Sequence, residues 1–89
     1  MAKFDGVKGY LLLEIEQKPA EVTLVFRDNR FVFVTSPAAD VKVEDEGVEG
    51  AELDGVVEAS NSVEFSFKNG KKLSVESASS QIQTDSIPE

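Results

Sequence analysis

The chain has 89 residues, of which 17 are acidic and 9 basic, and a formal net charge of −8 at pH 7; its hydrophobic fraction of 40% argues against wholesale disorder and for one small core. It contains no His and no Cys, which removes the usual general bases, thiolate nucleophiles and zinc ligands, makes a Ser-His-Asp triad unbuildable, and leaves no disulfide to support the fold. No apolar run approaches the roughly 20 residues that span a bilayer, and Met1 to Gly9 lacks the basic and apolar regions of a signal peptide, so a cytoplasmic location is expected.

Hydrophobic residues recur with period 2 along most of the chain and are mainly β-branched or aromatic, which predicts an all-β fold. The first element is Tyr10 to Glu16, with Leu11, Leu13 and Ile15 on one face before Lys18-Pro19 interrupts it. Glu21 to Arg27 and Arg30 to Thr35 flank Asp28-Asn29, a pair that tolerates positive φ, and so predict a hairpin. A two-residue loop there sets Phe26 opposite Phe31 and Leu24 opposite Phe33 on one face, with Val25 opposite Val32 on the other. It also sets Arg27 against Arg30, a repulsion that a longer loop relieves.

Val41 and Val43 alternate with Lys42 and Glu44, and Val57 and Ala59 alternate with Glu58 and Ser60, predicting two further short strands. Residues 45 to 55, interrupted by Gly47, Gly50 and Gly55, fit either a long loop or an irregular hairpin. From Ser62 to Glu76 the register decides the turn. A three-residue loop, Lys68-Asn69-Gly70, pairs Phe65 with Leu73 and Val63 with Val75 and puts Gly70 at the left-handed position of a bulge; a two-residue loop would oppose apolar to polar faces. The expected architecture is a single β domain over residues 1–76, a small antiparallel sandwich or closed barrel of about six to seven strands. Residues 77–89, rich in Ser and polar residues, are expected to form a disordered tail.

The charge is distributed unevenly along the chain. Asp40, Glu44, Asp45, Glu46, Glu49, Glu52, Asp54, Glu58 and Glu64 share residues 40 to 64 with a single base, Lys42, while the remaining acids and bases are equal in number. Surface carboxylates keep small β proteins soluble and stop strand edges from pairing. A concentrated set also steers a basic partner, because like charges held close raise the local potential. Glu44 and Glu46, if on one strand, lie about 6.7 Å apart on the same side, a row able to enter a groove built for phosphates.

The partner-binding candidates are therefore Asp40, Glu44, Asp45, Glu46, Glu49, Glu52, Asp54 and Glu58. They predict a non-enzymatic module of the inhibitor, immunity or viral counter-defence type, docking on a basic protein surface, with nucleic-acid mimicry as its most specific form. One alternative is a structural β domain of a larger assembly, self-association through a strand edge included. Another is an irregular Ca²⁺ loop, although neither Gly47 nor Gly50 gives an EF-hand register: placing them sixth puts Lys42 or Gly47 at ligand positions. No cofactor and no catalytic residue are expected. The basic turns, Lys68, Lys71 and Lys72 and Arg27 and Arg30, read as ordinary turn polarity on a protein whose net charge repels nucleic acid.

Overall fold

In the computed structural model, which describes residues 4–87, the chain forms two four-stranded antiparallel sheets. In chain order the strands are β1 (Leu12–Gln17), β2 (Glu21–Phe26), β3 (Arg30–Thr35), β4 (Val41–Asp45), β5 (Leu53–Glu58), β6 (Ser62–Phe67), β7 (Lys72–Ser77) and β8 (Gln83–Ile87). The first sheet has the order β1-β2-β3-β8 and the second β4-β7-β6-β5. This is the sandwich of the two expected architectures; the barrel is not closed, and the described residues form eight strands rather than six or seven.

Alternation builds the core. Val22, Leu24 and Phe26 of β2 and Val32 and Val34 of β3 point inward to meet Val63, Phe65 and Phe67 of β6 and Leu73 and Val75 of β7. Each such side chain, fully removed from water, stabilises the fold by about 1.5–3 kcal/mol. The turn before β1 adds Phe4 and Val7, and the Phe4 ring meets Phe65 edge to face at 6.0 Å and 88°. The sheets are stitched along one side, where the Leu12 amide donates to the Ala51 carbonyl (2.9 Å) and the Leu53 amide to that of Tyr10 (3.1 Å).

The β6–β7 hairpin has the expected three-residue loop, with Phe65 opposite Leu73, Val63 opposite Val75, and Gly70 at φ 82°. The β2–β3 hairpin differs from the two-residue expectation by one residue. Arg27, Asp28 and Asn29 together form its loop, Asp28 and Asn29 at φ 64° and 58°, and the register becomes Leu24 opposite Val32, Val25 opposite Phe31 and Phe26 opposite Arg30. The added residue separates Arg27 from Arg30, whose guanidinium lies over the Tyr10 ring at 3.9 Å and donates to the Gly6 carbonyl. Because side chains alternate, the slip turns Val32 and Val34 inward and Phe31 and Phe33 outward.

Bulges account for two further differences. In β1 the register shifts between Leu12 and Glu14, so Leu12 is buried and Leu13 is 51% exposed, exchanging their expected places, while Ile15 keeps its side and packs against the core. In β5 a shift between Leu53 and Gly55 turns Leu53 inward and leaves Val57 66% exposed. Residues 46–52 are ordered: Val48 is fully buried, and the Gly50 amide donates to the Leu12 carbonyl at 2.8 Å.

The expected disordered tail is corrected at Ser77, which ends β7 and is buried, and over residues 83–87, which form β8 beside β3; the expectation for Pro88 and Glu89 lies outside the described residues. The strand lacks an apolar signature because its inward positions are Thr84 and Ser86. Ser86 is buried, and its hydroxyl accepts the Phe4 amide at 3.0 Å.

This register separates the phenylalanines by energy. Phe65→Ala is expected to cost about 3–5 kcal/mol, as for a large side chain deleted from a packed core. Phe33→Ala on the outer face is expected to cost about 1 kcal/mol or less. Urea unfolding of both variants measures the difference, which the two-residue register, with Phe33 inside, would abolish.

Candidate partner-binding site

The structure distributes the acids of residues 40 to 58 over β4, β5 and the loops on either side of β4. Asp40 lies in the connection before β4 and is enclosed by hydroxyls: Ser77 donates to its Oδ1 (2.5 Å), Ser36 to the same oxygen (3.3 Å), and the Ser79 hydroxyl and amide to Oδ2 (2.6 and 3.1 Å). The Ser77 hydroxyl, then that of Ser79, chiefly lower the Asp40 pKa from 3.8 to about 2; desolvation opposes them, and Ser36 and the Ser79 amide add smaller lowering effects. Ser36 and Ser77 are themselves buried, so this carboxylate fastens the β3–β4 connection to the β7–β8 connection.

Other acids of the segment are also engaged within the fold. Asp45 Oδ1 accepts the amides of Gly47 (2.7 Å) and Val48 (3.1 Å), capping the turn that buries Val48. Glu46 accepts the Lys72 amide at 2.9 Å, Glu52 faces Lys68 at 3.8 Å, and Glu58 accepts the Thr84 hydroxyl across the sheets. The turn carrying Lys68, Asn69 and Gly70 is held against residues 46–52 by Asn69 Nδ2 donating to the Gly47 carbonyl at 3.1 Å. Lysines distant in sequence thereby enter the acidic region. Glu44, Glu49 and Asp54 are exposed, but Glu44 lies on the broad face of the second sheet and Glu49 in the loop at its end. Among the described residues no three carboxylates gather in a way that could hold a metal ion.

The outer face of the second sheet mixes signs. Lys42 stands opposite Glu76, Glu44 and Glu64 both stand opposite Ser74, and Lys72 lies 3.5 Å from Glu64. The outer face of the first sheet does not. Register places Glu14, Val25, Phe31 and Ile87 in one row across its four strands, Glu16, Thr23, Phe33 and Asp85 in the next, and Glu21, Thr35 and Gln83 in a third. Phe31 and Phe33 stack at 6.1 Å and 20°, half-buried, and Ile87 is 52% exposed. A shallow groove runs past Glu21, Phe33, Thr35 and Asp85, and a second continues from Glu21 and Thr35 toward Lys18 and Pro37.

Sequence reasoning missed this face because its acids are spread from residue 14 to residue 85 and because the hairpin register was one residue off. The usable signal was the Arg27–Arg30 juxtaposition, which disfavours the two-residue loop. No protein-family model matches the chain, and neither a curated protein nor a solved structure does. Fold and surface together define the class: a small antiparallel sandwich with one mixed face and one face that is apolar at its centre and anionic at its rim.

The Asp40 fastening has a pH signature. A carboxyl whose pKa is depressed by folding stabilises above its unfolded value and loses that contribution as pH falls through the folded value. Asp40→Asn is therefore expected to be less stable than the parent from about pH 4 upward, with the gap closing as pH falls toward about 2. Urea midpoints of the two proteins across this range provide the measurement.

Proposed function

We propose that this chain is a non-enzymatic acidic protein-binding module that docks on a basic protein surface, acting as an inhibitor or regulator by occupying a site that serves another anion. The observation carrying this reading is the charge of the strand faces. Outward positions hold Glu14, Glu16, Glu21, Asp85, Glu44, Glu64 and Glu76 against only Lys42 and Lys72. The strands fix the backbone from which these side chains project, so little backbone order has to be imposed on association. The absence of His and Cys from the sequence supports a role in binding rather than in catalysis.

The engagement of Asp40, Asp45, Glu46 and Glu52 within the fold favours a second reading, a structural β domain whose acids shape loops and maintain solubility. Salt separates the two. Proteins captured at low ionic strength, once identified by mass spectrometry and purified, are expected to bind about tenfold more weakly or worse as salt rises well beyond 0.15 M, where the Debye length falls below about 8 Å. A complex of unchanged affinity over that range would refute the electrostatic module and support the structural domain.

A further inference from the structure

We infer that the outer face of the first sheet is the docking surface, and that its occupant is a cationic amphipathic helix of a partner protein. This rests on the binding-module reading above and assigns its interface. The centre is apolar, with Val25, Phe31, Phe33 and Ile87 running across β2, β3 and β8, and with Leu13 exposed at the β1 bulge beside them. Two of the three large hydrophobic residues most exposed among those described, Leu13 and Ile87, belong to this region. Stacked aromatic rings inside a polar rim are the usual anatomy of an energetically dominant contact.

The rim gives the partner its charge. Glu14 and Glu16 line the β1 side, Asp85 the β8 side and Glu21 one end, and no base occupies an outward strand position on this sheet. The dimensions suit a helix. From β1 to β8 there are three strand spacings, roughly 14 Å, and a helix with its side chains is about 10–12 Å across. A helix lying along β2 and β3 thus rests its apolar stripe on Val25, Phe31 and Phe33, while lysines or arginines on its two flanks reach Glu14 and Glu16 on one side and Asp85 on the other. A second copy of the chain fits poorly. Packing this face on itself would set each rim of carboxylates against an identical rim.

The test uses the intact protein and a synthetic helix of roughly 18 residues, long enough to fold in isolation when helix formers are chosen, with Leu and Ile on one face and Lys on both flanks. A composition-matched scramble serves as control. Amide shifts are expected at β2, β3 and β8, with binding at least about tenfold weaker for the scramble and for Glu14→Lys/Glu16→Lys, and unchanged within about twofold for Glu44→Lys/Glu49→Lys. Phe33→Ser should weaken binding similarly; if that variant does not fold, the exposed glutamate pair still decides the matter. Equal binding of the scramble, or a footprint on Glu44, Glu64 and Glu76 instead, overturns the assignment of this face; the latter, if salt-sensitive, leaves the binding-module reading standing. A concentration-dependent dimer in sedimentation that Phe33→Ser abolishes also overturns it, because the occupant is then a second copy. Failure of every cationic probe to bind at low salt rejects the module reading together with this one.

Discussion

The pairing of β2 with β3 determines what the first sheet buries and what it shows. Successive side chains of a strand point to opposite sides, so a shift of one residue exchanges the two faces completely. Arg27, Asp28 and Asn29 form a three-residue loop, and this places Val32 and Val34 over the core while Phe31 and Phe33 stack on the outside. The remainder of the sheet follows. β8 pairs with β3 in a register that sends Ser86 inward and Ile87 outward to join Phe31, and β1 pairs with β2 so that Leu12 seals the core and Glu14 borders Val25. The loop is held by more than its own turn, since Arg30 stacks on Tyr10 and reaches the Gly6 carbonyl, anchoring the segment that delivers Phe4 and Val7 to the core.

The sequence was informative wherever one face was apolar and the turn chemistry was specific. Asn69-Gly70 beside Phe65, Phe67, Leu73 and Val75 admits one good register, and that register is the one observed. It was uninformative where both faces were apolar, because Val25, Phe31 and Phe33 qualify for burial as well as Leu24, Val32 and Val34 do. It also misled in two edge strands, where bulges interrupt period 2 and exchange the roles of Leu12 and Leu13 and expose Val57. β8 was hidden for the opposite reason: its strand is made by backbone pairing and two small polar side chains, with no apolar alternation to read.

The acids divide into two kinds that composition cannot distinguish. Asp40, Asp45 and Glu46 accept hydrogen bonds that join loops, and their closeness in sequence reflects the two turns around β4. Glu14, Glu16, Glu21 and Asp85 are scattered along the chain, yet pairing brings them around one apolar centre. A charge run along a sequence is therefore a weaker guide to a surface than strand register, which converts separations of tens of residues into neighbouring positions about 5 Å apart. The proposed role of the protein follows from this second kind of carboxylate, since those that join loops are already satisfied by the fold.

The β2–β3 register sets both faces of the first sheet, and backbone NMR measures it directly. Cross-strand NOEs in a ¹³C,¹⁵N-labelled sample should place Leu24 opposite Val32 and Val22 opposite Val34, with the Phe31 and Phe33 rings contacting each other and not Phe65. NOEs that instead place Leu24 opposite Phe33 and Phe26 opposite Phe31 would contradict it, returning both rings to the core and removing the apolar centre from the outer face.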